Sequence, residues 1–147
     1  MLKVLIAEDD LMIADMAEEI LLEHGYEVCG IARTVAEAVT LSRHHKPDLA
    51  VIDLRLADGG LGTEIIAPLV ALGRVGVLYA SANITLAMLT ILDGDACLSK
   101  PYRSADLVHS LAIVAGIVAT GIASPPFPRG FQLLPPATTA RPELSYG

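Results

Sequence analysis

The sequence predicts an α/β fold, a doubly wound five-stranded parallel sheet with helices on both faces. Three observations carry that reading. Apolar strand-like runs alternate five times with segments of helical period along residues 1–120. The central run, Leu49-Ala50-Val51-Ile52, contains no polar residue, as expected of a strand buried on both faces. The segments between runs are long enough for the crossovers that a parallel sheet requires.

The elements follow in order. Leu2 to Ala7 is a first strand, and Glu8-Asp9-Asp10 then starts a helix, where acidic residues are favoured by capping and by the dipole. Leu11, Ile13, Ala14, Ala17, Ile20 and Leu21 form its apolar stripe, opposite Asp15, Glu18, Glu19 and Glu23. His24-Gly25 closes it. Glu27 to Ala32 is a second strand, and Thr34 with Glu37 reads as a capping box for a second helix ending before Pro47. The third strand ends at Asp53. Gly59-Gly60-Leu61-Gly62 leads into a third helix over roughly Thr63 to Leu72, which Pro68 should kink or shorten. Val75 to Ala80 is a fourth strand, Asn83 to about Leu92 a fourth helix, Ala96 to Ser99 a fifth strand, and Ser104 to Ala119 a last helix. Residues 1–120 form one domain. Residues 121–147, with six prolines from Pro125 to Pro142, read as a Pro-rich C-terminal tail, extended or disordered unless it packs back.

Composition narrows the function classes. Net charge is −7, and residues 1–30 carry eight carboxylates against Lys3 alone. No basic patch appears, which argues against direct nucleic-acid binding. No signal peptide is read at the N-terminus. Cys29 and Cys97 look like small buried hydrophobes in a reducing compartment, which makes the cytoplasm the natural assignment. They belong to the second and fifth strands. The four histidines show no metal-ligand spacing.

Chemistry gathers at the strand ends. The first strand gives Glu8 and Asp9, the third Asp53, the fourth Ser81 and the fifth Lys100-Pro101. In a parallel sheet these ends share one rim. Crowded carboxylates must protonate, separate or bind a cation. All-oxygen ligation with retained water suits Mg²⁺, and the lack of Cys or His at these ends argues against zinc. An Asp carboxylate can attack phosphorus, and phosphoryl transfer needs mainly positioning and neutralised charge. Lys100 supplies charge and the Ser81 hydroxyl a donor.

Val4-Leu-Ile-Ala-Glu8-Asp9-Asp10, Val51-Ile-Asp53-Leu with Gly62 nine residues on, Ala80-Ser81-Ala82 and Ser99-Lys100-Pro101 together resemble the receiver domain of two-component response regulators, over residues 1 to about 119. The resemblance implies the flavodoxin-like strand order 2-1-3-4-5. It also implies roles. Glu8 and Asp9 hold Mg²⁺, Asp53 is phosphoacceptor and metal ligand, and the Arg55 carbonyl completes the ligation. Ser81 binds the phosphoryl group and Lys100 neutralises it. The phosphoryl donor is a sensor histidine kinase or phosphotransfer protein, and the protein is a signalling acceptor in a phosphorelay rather than an enzyme. Two positions depart from the family. Asp58 stands where Pro is usual, which should loosen that loop, although Asp-Gly favours a turn. Cys97 stands where an aromatic switch residue is usual, and Tyr102 is not in the same place.

Two surfaces stand out. The first helix, with its acidic face and Leu11 and Met12 beside the acidic pair, is by resemblance the docking site of the phosphodonor; a solvated charged face over a core stripe explains the charge equally well. The fourth helix (Ile84, Leu86, Ala87, Met88, Leu89, Ile91, Leu92) and the last helix lack a charged face along most of their length. Such helices want cover on more than one side. The last apolar run falls short of the ~20 residues of a membrane span. Its cover is either the tail or, best supported, a partner or homodimer formed through the fourth and fifth helices. Two other functions fit part of the pattern: a Mg²⁺-dependent phosphohydrolase with Asp53 as nucleophile, and a receiver-shaped binding module that never turns over phosphate. The hydrolase usually wants a carboxylate two residues beyond the nucleophile, where Arg55 stands.

Overall fold

The structure, a computed structural model, describes residues 1–82 and 89–137. Its strands are β1 (Lys3–Ala7), β2 (Glu27–Ala32), β3 (Leu49–Ile52), β4 (Gly76–Ser81), β5 (Ala96–Ser99) and β6 (Phe131–Leu133). Its helices are α1 (Leu11–Glu23), α2 (Val35–His45), α3 (Ile66–Val70) and α4 (Ser104–Thr120). The sheet order is β2-β1-β3-β4-β5-β6. The first five strands run parallel, and β6 pairs antiparallel with β5.

Every residue of β3 and β4 is buried, because helices cover both faces. Alternation along the strands splits the core in two. Leu5, Ala50, Ile52, Val77, Tyr79 and Cys97 face α2 and α3, with Ile65 and Leu69 packed on them. Val4, Ile6, Leu49, Val51, Leu78 and Leu98 face α1 and α4, with Ala14, Leu21, Leu107 and Leu111. The β1–β2 ladder slips between Val4 and Leu5, so β2 carries an irregularity at the sheet's outer edge.

Local chemistry sets the helix starts. Asp10 caps α1, its carboxylate accepting from the Met12 and Ile13 N–H groups at 3.0 and 3.3 Å. Thr34 caps α2 by accepting from Glu37 N–H at 3.1 Å, while the Glu37 carboxylate reaches one residue further back, to Arg33 N–H at 2.7 Å.

Four expectations are corrected. The third helix is split into a 3₁₀ turn, Gly62–Ile65, and the short α3. Pro68 lies in the first turn of α3, where its missing N–H costs no bond. The expected fourth helix falls largely on residues 83–88, outside the described residues, and its remainder from Leu89 to Leu92 is not helical. There Asp93 closes a turn, donating its N–H to the Thr90 carbonyl (2.8 Å) and accepting Thr90 N–H on Oδ2 (2.9 Å). The last helix runs one residue further than expected, to Thr120.

The fourth correction is the sixth strand. Within the expected tail, Phe131, Gln132 and Leu133 pair with Leu98, Cys97 and Ala96, so β5 is not an outer strand. Phe131 is buried on the α4 side and Leu134 on the other, in the cluster that holds Cys97 and Tyr79. Each such side chain contributes about 1.5–3 kcal/mol, which accounts for a Pro-rich segment folding back. Ile122 to Pro125 also pass over α4, lining a cavity with His109, Ala112, Ile113 and Gly116. Among the described residues, no helix is long and apolar enough to cross a membrane.

Candidate functional site

The ladder registers place the site. Ala7 pairs with Ile52, so Glu8 and Asp53 are the first residues beyond neighbouring strand ends. Backbone bonds hold both turns: Glu8 N–H donates to the Ala32 carbonyl (2.9 Å) and Asp53 N–H to the Ala7 carbonyl (2.8 Å). Ser81 ends β4 and pairs with Ser99, so Lys100 leaves β5 on the same rim, its N–H donating to the Ser81 carbonyl (3.2 Å). The Lys100-Pro101 peptide is cis.

Oxygens of Glu8, Asp9 and Asp53 all lie within 4.8 Å of one another. Lys100 Nζ bridges two of these carboxylates, donating to Glu8 Oε1 and, at 3.1 Å, to Asp53 Oδ2. The other Glu8 oxygen accepts Asp10 N–H at 3.1 Å. Glu8 is 5% exposed, and this burial pushes its carboxyl up to about 7, with Asp53 adding to the rise and Lys100 and Asp10 opposing it. Burial works against the Lys100 charge, yet the bond to Glu8 and the charge of Asp53 outweigh it and raise its pKa. The lysine is therefore held as an ammonium against two acids.

This donor set fits magnesium. With all three carboxyls ionised, the set against one ammonium carries two negative charges, which a divalent cation would cancel. Glu8, Asp9 and Asp53 would hold such an ion through an all-oxygen set of the kind Mg²⁺ takes. Arg55, the fourth expected ligand, lies in the following loop, its backbone bridged to Leu61. Ser81 is buried at the rim.

The loop after Asp53 shows why Gly62 is needed. A Cβ there would stand 2.1 Å from the Asp53 carbonyl oxygen and 2.6 Å from Ile52 Cγ2. Only glycine lets the chain return this close, with Gly62 N–H donating to the Leu54 carbonyl at 2.8 Å. Asp58 closes a turn, as its Asp-Gly pair favours: its Oδ1 accepts Gly60 N–H at 2.9 Å.

Tyr102 packs on the α1 side of the sheet and Cys97 on the opposite side, so the tyrosine does not substitute for a ring at Cys97. Arg33 went unnoticed in the sequence. Its Nε donates to the Asp9 carbonyl (3.4 Å) and its own carbonyl accepts Ala57 N–H (2.9 Å), tying three rim loops together. A lone arginine after a strand carries no sequence signal for that. Beside the site, a cavity of about 330 Å³ lies between α1 (Ile13, Met16, Ile20) and the turn Lys100 to Tyr102.

Comparison with known proteins agrees with this geometry. Residues 4–112 match the model of the response regulator receiver domain. The transcriptional regulatory protein PdtaR of Mycobacterium tuberculosis is 34% identical over 120 residues, 76% of this chain and 55% of that protein. The phyllosphere-induced regulator PhyR of Methylorubrum extorquens is 36% identical over 81 residues, 54% of this chain and 30% of that protein. The chain thus spans about half or less of these curated relatives. Among solved structures, the anti-anti-sigma factor PhyR from Bartonella quintana superposes with a TM-score of 0.67 at 29% identity, covering 82% of this chain and 49% of the other. A CheY-like receiver domain protein from Methanospirillum hungatei superposes with a TM-score of 0.71 at 25% identity, covering 83% and 99%.

Proposed function

This chain belongs to the response regulator receiver family, and we propose that it accepts a phosphoryl group on Asp53 from a phosphohistidine, with Mg²⁺ held by Glu8, Asp9, Asp53 and the Arg55 carbonyl. The observation that carries this reading is Lys100 bridging Glu8 and Asp53, which gathers an acid trio and a fixed ammonium at one point.

An Asp53 carboxylate oxygen attacks phosphorus in line; the new O–P bond forms as the P–N bond breaks, and the imidazole leaves with the bonding pair. Lys100 keeps its proton throughout and faces the phosphoryl oxygens. The Ser81 hydroxyl donates to one of them. Magnesium, when bound, supplies the remaining charge neutralisation. Water later attacks the acyl phosphate, returning Asp53 and inorganic phosphate, so the protein is a signalling acceptor with only self-catalysed chemistry.

The phosphodonor, a sensor histidine kinase or phosphotransfer protein, docks on α1, where Leu11, Met12 and Met16 are 50%, 74% and 56% exposed and Met16 lines the 330 Å³ cavity. Output is by protein–protein contact in the cytoplasm, through α4 and the region before β5, a homodimer included. PdtaR and PhyR, named for transcriptional regulation and anti-anti-sigma activity, make regulation of gene expression the process to test first.

Intact-mass and peptide mapping after incubation with acetyl phosphate and Mg²⁺ tests the proposal. A single labile phosphoryl adduct on Asp53, absent in Asp53→Asn, is expected. Rapid multiple turnover of phosphoesters would indicate the hydrolase instead. No adduct would leave a receiver-shaped binding module.

A further inference from the structure

Two of the three acid side chains at the strand ends share a partner, and the third does not. Lys100 Nζ donates to Glu8 and to Asp53, and Glu8 also accepts Asp10 N–H. Among the described residues, nothing makes a hydrogen bond or ion pair to the Asp9 carboxylate. Whatever aims that carboxylate acts through the Asp9 backbone.

Asp9 stands between two anchored neighbours. Glu8 N–H is tied to the Ala32 carbonyl (2.9 Å), and Asp10 caps α1, where Ala14 N–H donates to the Asp10 carbonyl (2.9 Å). The Asp9 carbonyl falls one residue short of that helical ladder, and its donor is Arg33 Nε at 3.4 Å. Arg33 is itself fixed on both sides of its backbone. Its N–H donates to the Glu37 carboxylate at 2.7 Å, beside the Thr34 cap of α2. Its carbonyl accepts Ala57 N–H at 2.9 Å, from the loop that carries Arg55. The residue is exposed, so packing is not what it contributes.

We propose that Arg33 is a positioning residue for the metal ligands: gripping the Asp9 carbonyl from a backbone fixed to α2 and to the loop after Asp53, it sets how Asp9 meets Mg²⁺. This rests on Mg²⁺ binding at Glu8, Asp9 and Asp53. Groups that orient metal ligands without touching the ion carry about 10- to 100-fold in affinity. The bond here is long and exposed, which places Arg33 at the low end, about ten-fold. Its charge acts the other way. A guanidinium beside a cation site repels the cation, so losing the charge alone strengthens binding.

Two substitutions separate donor from charge. The glutamine amide nitrogen stands as many bonds from Cα as arginine Nε does, so Arg33→Gln keeps a donor at that place and removes the charge. Arg33→Met has the same reach with neither donor nor charge. Mg²⁺ titration of the full chain, stripped with chelator and followed by amide NMR shifts, gives dissociation constants; urea midpoints of the metal-free proteins give stability. Arg33→Met should bind Mg²⁺ about ten-fold more weakly than Arg33→Gln. Arg33→Gln should bind as tightly as the wild type or tighter, and the metal-free midpoints should coincide. Equal constants in the two variants, Arg33→Gln weaker than the wild type, or an Arg33→Met chain that loses metal-free stability along with affinity overturns the positioning role alone. No Mg²⁺ binding in the wild type, or unchanged binding in Asp9→Asn, overturns the magnesium reading and the inference with it.

Discussion

Replacing Gly62 by alanine adds one methyl group in the most crowded place near the site. The new Cβ would stand 2.1 Å from the Asp53 carbonyl oxygen, 2.6 Å from Ile52 Cγ2 and 3.1 Å from the Asp53 carbonyl carbon. Ordinary contact begins near 3.4 Å, so the loop must retreat by more than an ångström. That breaks the 2.8 Å bond from Gly62 N–H to Leu54, worth about 1 kcal/mol. Overpacking adds about 1–3 kcal/mol, so urea unfolding should show a loss of roughly 2–4 kcal/mol. The chemistry suffers separately, since a displacement of about 1 Å at a reacting group costs on the order of 100-fold in rate. Initial rates of Asp53 phosphorylation, followed by mass spectrometry, measure that loss. Gly59→Ala is the control. Its added Cβ meets nothing within 4 Å, so only backbone strain at φ +82 acts there, costing about 1–2 kcal/mol without moving Asp53. A Gly62→Ala protein with wild-type stability, or a Gly59→Ala protein equally slow in phosphoryl transfer, would refute the reasoning.

Three further outcomes are expected. Glu8 has a folded pKa raised from 4.5 to about 7, so in metal-free protein its stabilising contribution is full below pH 4.5 and lost as pH rises through about 7; Glu8→Gln should flatten that segment of a urea-midpoint profile recorded in chelator. Mg²⁺ at a hundred times its dissociation constant should add about 2.7 kcal/mol, read as a rise in Tm of roughly 5–10 °C, and Asp9→Asn or Asp53→Asn should lose most of it. Leu134→Ala should cost about 2–3 kcal/mol by cavity formation; a loss under half a kcal/mol would show that β6 adds nothing to the fold.

Most of the site was legible before the fold was known, because strand ends in a parallel sheet converge and because Glu8, Asp9, Asp53, Ser81 and Lys100 each follow an apolar run. Gly62 was visible as a spacing, but its reason, the 2.1 Å approach, exists only in three dimensions. The turn at Asp58 was legible as an Asp-Gly pair, and its cause is the Asp58 carboxylate accepting Gly60 N–H. Arg33 could not be found from local pattern at all. The split of the third helix was hinted at by Pro68. The sixth strand was hidden by composition: prolines at 125, 126, 128, 135 and 136 read as a tail, while Phe131 and Leu134, three apart, show no alternating pattern until paired with β5.

The two outer strands of the sheet share a property with a consequence for the molecule in a crowded solution. β2 slips register against β1, and β6 is only three residues long. Neither offers a long, flat row of free amides on which another chain could template itself. The slip and the brevity together act as insulation against open-ended polymerisation through the sheet edges.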